Sequence, residues 1–342
     1  MKVLVVGYGR MGRIKSALWR SLKCTVYVYD PDPVAIIKAL NDGYQAFEKL
    51  KSTDEIIADI CSPADNHVTS LEWLVSRYAN MSKILIEKPL ASSSTEIEDI
   101  NRLVSNNPNL KPKIVLSESY YSSAALVELR KHLADFAEIK KIIIELSKNR
   151  LNDIKSGRFY DNNLEAIGIE VPHAIAILQS LDVNLDNLIN ARSILHSKNN
   201  EKSNQYYELI HDGKPKIQIV SSLGDFVPGI EQVANSVIMR RVIIETEMNI
   251  LSLEFDPVMG LPRYYSKIKI YENGKTILSE TVADNHLLSH LKKVLTSKKL
   301  SPHLGLDNAI LISELLIKLK VQAEKRSQVA RRRNTADNYY GN

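Results

Sequence analysis

The chain has 342 residues, 44% apolar and 25% charged, a composition that can bury a sizeable core in about two domains. Its 45 basic and 40 acidic side chains leave a formal charge of +5, too small an excess to point to nucleic acid. No apolar run is long enough for a bilayer span and no signal-peptide pattern precedes the first strand, so no membrane partner and a cytoplasmic location are expected.

The opening run, "VLVVGYGRMGRIKS", takes four apolar residues straight into Gly7, Gly9 and Gly12 in G-x-G-x-x-G spacing. Gly7 permits a tight turn, Gly9 lets a pyrophosphate approach the backbone, and Gly12 allows close helix–strand packing. Arg10 and Met11 of the same loop join them as cofactor-binding candidates, because the first amides of the following helix face the phosphates. A bare strand-to-helix turn is the alternative. A second β-rich run, "CTVYVYDPDP", ends in Asp30, where an acid accepts the ribose hydroxyls; with Asp32 nearby, NAD is expected over NADP.

Strands are predicted at 2–6, 25–29, 57–61, 83–87 and 113–117, with helices at 11–22, 33–41, 66–78 and 94–105. That alternation predicts a parallel Rossmann sheet over residues 1–120. A helix at 123–135 follows. Then long β-rich runs such as "IKKIIIELSK", "QYYELIHD" and "RYYSKIKIYENGKTILSE", separated by turn signals, predict a large, mostly antiparallel sheet in an α+β domain over 121–330. Helices at about 172–181 and 306–326 interrupt and close it. Arg331–Arg333 begin a basic tail, 331–342, expected to be solvated and flexible. Cys24 and Cys61 read as free buried thiols, and no metal-ligand spacing surrounds them, so no metal is expected.

Three further stretches, "DICSPADNHV" (59–68), "ILIEKPLA" (84–91) and "GIEVPHAIAIL" (168–178), stand with "GYGRMG" in an order and spacing that resembles the glucose–fructose oxidoreductase / inositol dehydrogenase / MocA family. The resemblance covers the dinucleotide domain and reaches the second domain through the helix near His173. It implies a nicotinamide cofactor, Lys88 as the catalytic lysine positioned by Glu87 and Pro89, and His173 as the catalytic histidine. Ser62, Pro63 and His67 match the loop on the nicotinamide side. Glu118, Tyr120 and Tyr121 fall where the family borders its cleft, with interface packing as the other reading of the tyrosines. The resemblance also implies a homodimer or homotetramer through the second sheet.

Hydride transfer from an alcohol also removes a hydroxyl proton, so one group must steady the developing alkoxide and another accept the proton. Lys88 at the end of a parallel strand suits the first role. Pro172 is expected in the first turn of a helix, which places His173 near the positive end of the dipole and favours its neutral, proton-accepting form. Many members carry an aspartate four residues before the histidine; here that position is Ile169, and Glu170 is the candidate replacement as a contact to substrate or imidazole. Lys148, Arg150 and Arg158 are candidate anion contacts and Asp161 and Asn162 hydroxyl contacts, each against the alternative of a solvated connection; Asp307 reads first as a helix cap. The expected activity is an NAD-dependent oxidation or reduction of a secondary alcohol or ketone on a sugar, sugar derivative or cyclitol. An imine or enone reductase, and a non-catalytic NAD-bound sensor, are the alternatives.

Overall fold

In the computed structural model the described residues are 1–136, 138–157, 160–197, 204–225 and 238–339, with side chains described as far as residue 326. The chain divides into two compact units, one of Met1–Ser122 with Leu287–Glu314, the other of Ser123–His286 with Leu315–Asn342.

The first unit alternates strand and helix. In order come β1 (Lys2–Val6), α1 (Arg10–Ser21), β2 (Thr25–Tyr29), α2 (Pro33–Asn41), β3 (Gln45–Ala46), β4 (Ile56–Ile60), α3 (His67–Arg77), β5 (Met81–Glu87), α4 (Ser94–Asn106) and β6 (Ile114–Ser117). The strands form one parallel sheet in the order β3-β2-β1-β4-β5-β6. Strands covered on both faces read as continuous apolar runs, and β4 and β6 are buried throughout. The strand order reverses between β1 and β4, and ligands of such sheets bind at the carboxyl ends beside that reversal.

The second unit begins with α5 (Ala124–Leu133) and β7 (Lys141–Lys148). It continues through α6 (Leu151–Lys155), α7 (Ala166–Ser180), α8 (Asp186–Ile189), β8 (Arg192–Ser197), β9 (Gln205–His211), β10 (Lys216–Ser222), β11 (Ile238–Glu245), β12 (Asn249–Glu254), β13 (Tyr265–Glu272) and β14 (Lys275–Ala283). Its eight-stranded sheet runs β14-β13-β12-β11-β7-β10-β9-β8. Every pair is antiparallel except the central β7–β10 pair. Strict alternation marks one face: Ile142, Ile144 and Leu146 of β7 are buried, while Ile143 and Glu145 between them are half-buried. α7 packs on β7, β9 and β10, and α5 on β12, β13 and β14. The "ENGK" turn joins β13 to β14 with positive φ at Asn273 (49°) and Gly274 (75°), the conformation that favours this residue pair in two-residue hairpins.

The chain then forms α9 (His286–Thr296) and α10 (Leu306–Tyr339). Residues 287–314, expected from sequence within the second domain, group with the first unit. α10 runs on through Arg331–Arg333, whose side chains lie outside the described residues. Among the described residues no helix is long and apolar enough to cross a membrane. Both cysteines are free, Cys24 buried and Cys61 half-buried.

Candidate active site

The three glycines of the opening loop are glycine for different reasons. Gly7 has φ +96°, and a Cβ there would lie 2.8 Å from Ser62 N. Gly12 sits in α1, where a Cβ would fall 1.9 Å from the Gly7 carbonyl oxygen. Packing therefore dictates both. At Gly9 a Cβ would meet nothing within 4 Å, and its φ of −70° is open to any residue. Gly9 precedes α1, which starts with no side-chain cap and no acid in its first turn. A helix start with no side-chain cap and room at Gly9 for close approach are what a pyrophosphate requires. Gly9, Arg10, Met11 and Gly12 thus fit a dinucleotide.

Asp30, just past β2, turns its carboxylate back to this loop. Oδ2 accepts from Tyr8 N at 2.6 Å and Oδ1 from Asp32 N at 2.9 Å. A carboxylate has further lone pairs for ribose hydroxyls, but its visible work here is to hold Tyr8. That tyrosine is buried, donates to Asp42 Oδ2 at 2.8 Å and meets Tyr44 edge-on.

The loop after β4 is braced by His67. Its Nδ1 lies 3.0 Å from the Leu90 carbonyl oxygen and its Nε2 3.0 Å from that of Ser62. The ring is 1% exposed, and burial pulls its proton affinity down against the pull of the two carbonyls. A neutral ring donates to one of them at a time. His67 thereby ties the Ser62–Pro63 loop to the segment following Lys88. Ser62 Oγ pairs with Ser70 Oγ at 3.1 Å. Beyond Pro89, the amides of Ser92 and Ser93 donate to Glu96, while Glu96 N donates to Ser93 Oγ. This capping box fixes the start of α4.

Lys88 follows β5, and Glu87 ends it. Glu87 Oε1 accepts from Lys15 Nζ at 2.9 Å and from Ser117 Oγ at 3.0 Å. Burial alone would push Glu87 up; Lys15, Lys88 and Ser117 outweigh it and hold the carboxyl below its usual range. Lys15 also bonds Asp59 Oδ1 and Ser117 Oγ, and Trp19 Nε1 donates to Asp59 Oδ2 at 2.7 Å. Lys15 and Asp59 were not singled out from sequence. The signal was there: Gly12, Lys15, Ser16 and Trp19, the buried residues of α1, follow the i, i+3, i+4, i+7 spacing of one helix face. Past β6, Glu118 is 1% exposed and accepts from Tyr120 N at 3.0 Å; Tyr120 is buried too. Tyr121 stacks on His303 at 5.7 Å and accepts from Asn308 Nδ2.

In the second unit α7 departs from expectation. It begins at Ala166, so Pro172 and His173 are interior residues and not in the first turn. The expected dipole effect on His173 is therefore lost. The proline is tolerated inside a helix buried nearly throughout, whose packing outweighs one missing backbone bond. Glu165 precedes α7 with φ 56° and is held by Lys320 Nζ at 2.7 Å and Gln205 Nε2 at 2.6 Å. Glu170, three residues before His173, is 4% exposed and paired with Arg150. The Arg150 guanidinium is thus paired internally through one terminal nitrogen, where an anion contact was a candidate, while its buried Nε makes no hydrogen bond. Lys148 pairs with Asp153 at 3.2 Å. Asp161 Oδ1 caps the turn amides of Asn163 and Leu164, and Asn162 is exposed. Arg158 lies outside the described residues. Asp307 stands inside the first turn of α10, not ahead of it, and pairs with Lys111 at 2.9 Å. Among the described residues one trio of metal-ligand type converges, Glu128, His132 and Glu280, with ligand atoms within 4.8 Å of one another; His132 Nε2 and Glu280 Oε2 already pair at 3.0 Å.

No protein-family model and no curated protein sequence matches the chain. Solved structures do. UDP-N-acetylglucosamine 3-dehydrogenase GnnA from Acidithiobacillus ferrooxidans is similar at 14% identity and a TM-score of 0.65, over 95% of this chain and 98% of that one. A myo-inositol dehydrogenase from Corynebacterium glutamicum is similar at 13% identity and TM-score 0.63, over 95% and 97%. The transcriptional regulator Gal80p from Kluyveromyces lactis is similar at 14% identity and TM-score 0.66, over 95% and 92%. With the 3-2-1-4-5-6 parallel sheet and the eight-stranded mostly antiparallel sheet, these likenesses show that the chain has the fold of the glucose–fructose oxidoreductase / inositol dehydrogenase / MocA type.

Proposed function

We propose that the chain is an NAD-dependent oxidoreductase acting on a secondary alcohol or ketone of a sugar, sugar derivative or cyclitol. The observation that carries this is Gly9. It is the one glycine of the loop that neither packing nor backbone conformation demands, and it stands at an uncapped helix start beside the strand-order reversal. Gly9, Arg10, Met11 and Gly12 would hold the pyrophosphate, Asp30 the adenosine ribose, and the Ser62–Pro63 loop braced by His67 the nicotinamide end. A bound nicotinamide supplies the hydride acceptor or donor.

The chain's own residues manage the proton. Lys88 polarises the reacting oxygen and steadies negative charge as it develops there. His173 takes the hydroxyl proton in oxidation and returns it in reduction. Glu170 pairs with Arg150 through Oε1. Around Glu145, which pairs with Arg241 at 2.7 Å, Ile143 and Ile243 are half-buried on the face turned away from α7. Such a mixed apolar and charged face suits a second copy of the chain, and we include a homodimer or homotetramer through it in the proposal.

A second reading, an NAD-bound regulator without turnover, is supported by the likeness to Gal80p, whose description is that of a transcriptional regulator. Fluorescence titration with NADH and a turnover screen of polyols, sugar nucleotides and cyclitols separate the two. Lys88→Met and His173→Ala should each lower kcat about a hundredfold while NADH affinity holds. Tight NADH binding with no turnover on the whole panel favours the regulator; no NADH binding sinks both.

A further inference from the structure

One convergence of side chains in the second unit has no part in the proposed chemistry. Glu128 and His132 stand four residues apart on α5, the spacing that stacks two side chains on one helix face. Glu280 comes from β14, the strand at one edge of the eight-stranded sheet, and α5 packs on that strand. Along β14, Leu278, Glu280 and Val282 are half-buried while Ser279, Thr281 and Ala283 between and after them are exposed. Glu280 thus stands in the covered row of the strand, where apolar residues flank it. His132 Nε2 lies 3.0 Å from Glu280 Oε2, across 148 residues of sequence. One ligand atom from each of Glu128, His132 and Glu280 lies within 4.8 Å of the other two, and all three residues are half-buried. Sequence spacing gives no sign of such a trio, because its third member arrives only with the fold.

Two plainer uses of these groups fall short. A charge pointing inward discourages an edge strand from pairing with another chain, but Glu280 with His132 supplies that without Glu128. Glu128 also pairs with Lys131 at 2.6 Å, on side chains 27% and 66% exposed. Exposed pairs at this helical spacing contribute little, so that contact does not explain why the carboxylate meets an imidazole and a second carboxylate.

We propose that Glu128, His132 and Glu280 bind a divalent first-row transition ion of the zinc type, and that the ion joins α5 to the edge strand. One imidazole nitrogen with two carboxylate oxygens is a donor set that zinc accepts, whereas magnesium and calcium favour oxygen alone. Bonds of about 2.0–2.1 Å in a tetrahedron set neighbouring donors about 3.4 Å apart. The His132–Glu280 pair is already near that spacing, and rotation of the half-buried glutamate side chains closes the rest. His132 ligates through Nε2 as a neutral ring that carries its proton on Nδ1. Water fills the fourth position, and Lys131 leaves Glu128 for solvent at little cost. Since Glu280 meets the other two only in the folded chain, binding of the ion adds to stability by linkage. None of this depends on the hydride-transfer proposal.

The test uses the full-length protein, stripped with a chelator. Zn2+ is titrated by calorimetry, and Co2+ by the visible absorption that a low-coordinate nitrogen and oxygen site gives it. One equivalent should bind per chain, and Zn2+ in hundredfold excess over its Kd should raise Tm by a few degrees. Loss of a group behind a ligand already weakens a site about tenfold to a hundredfold, so His132→Gln and Glu280→Gln should each weaken binding about a hundredfold or more. His303→Gln, at an exposed histidine outside the trio, should change nothing, and NADH affinity should be the same with and without the ion. No uptake by the stripped parent overturns the proposal. Uptake undiminished in His132→Gln or Glu280→Gln places the ion elsewhere and overturns it too, as does equally tight binding of Mg2+, which would make the trio a general negative patch. Binding lost in the variants but without a rise in Tm for the parent keeps the ion site and overturns its part in joining α5 to β14. If either variant does not fold, Glu128→Gln, at the most weakly engaged of the three, is put to the same titration, and parental affinity there overturns the proposal.

Discussion

Gly9→Val sets fold and cofactor against each other. A Cβ at Gly9 meets nothing within 4 Å and the backbone there is extended, so the only cost to the fold is a poorer residue at the helix cap. That is at most about 1 kcal/mol, or a few degrees in Tm at this chain length. For a bound dinucleotide the same branched side chain blocks the approach to the first amides of α1. Hydrogen bonds to a charged acceptor contribute about 1.5–3 kcal/mol each, so losing two weakens NADH about a hundredfold or more. Gly12→Ala is the converse control. Its Cβ would stand 1.9 Å from a backbone oxygen, and strain of that kind costs about 1–3 kcal/mol even when the structure gives way. Circular dichroism, thermal melts and NADH fluorescence on the three proteins read out both effects. A folded Gly9→Val protein with parental NADH affinity refutes the cradle and leaves the glycines as turn formers only.

Three further outcomes are expected. Asp30→Asn should narrow the preference for NADH over NADPH, while keeping an acceptor for only one of the Tyr8 and Asp32 amides; tighter binding of NADPH by the parent protein sinks the assignment. Arg150→Met should destabilise the fold, by at most about 3–5 kcal/mol, by removing a charge partner of the buried Glu170, whereas Arg150→Met/Glu170→Leu should recover most of it; urea unfolding in which the single and double variants coincide contradicts this. His290 of α9 is depressed by burial and by Lys15 to about 4 from 6.5, so the unfolded chain takes up its proton first and stability should drain away as pH falls from 6.5 towards 4. The span is worth about 3 kcal/mol. His290→Leu should lose that limb, and parallel stability–pH curves for variant and parent rule it out.

Strands β1, β2, β4, β5 and β6 and the helices between them were legible because buried parallel strands are unbroken apolar runs bounded by turn residues. Two-residue β3 carries no periodicity and was not. The start of α7 was misjudged because Pro172 is a strong local signal for a first turn, while the packing that carries the helix through it depends on residues distant in the chain. Likewise the central β7–β10 pairing is parallel although the strands lie some seventy residues apart, and hairpin turn signals specify only neighbouring strands. The return of residues 287–314 to the first unit is a tertiary event too. It is seen in Lys83 Nζ donating to the Val294 and Ser297 carbonyls, and a lysine in a strand carries no sign of its partner. In the site, the glycines, Asp30 and the "EKP" tripeptide were legible as residue types. The bracing by His67 and the buried lysine behind Glu87 were not, because a polar residue on an apolar face identifies its environment only once the facing elements are known.

Three buried ion pairs lie next to the residues that the proposed chemistry uses, each within its own unit. Lys15 holds Glu87, adjacent to Lys88. Arg150 holds Glu170, three residues and nearly one helical turn before His173. Lys320 holds Glu165 at the start of the helix that carries His173. An apolar substitute of similar volume in such places is often neutral or stabilising, so net stability does not account for all three. Each pair does pin a segment that packing alone leaves a choice about: the end of a strand, one turn of an all-round apolar helix, and a helix start in a left-handed backbone conformation. An apolar helix such as α7 is free to rotate or slide among similar packings, and a polar contact that must be satisfied removes that freedom. The Arg150→Met/Glu170→Leu protein therefore bears on more than stability. It should fold, and it should still lose kcat, because His173 would ride on a helix whose register is no longer fixed by charge. Full activity in that protein would mean that hydrophobic packing fixes the helix by itself, and that the buried pairs have no part in placing the site.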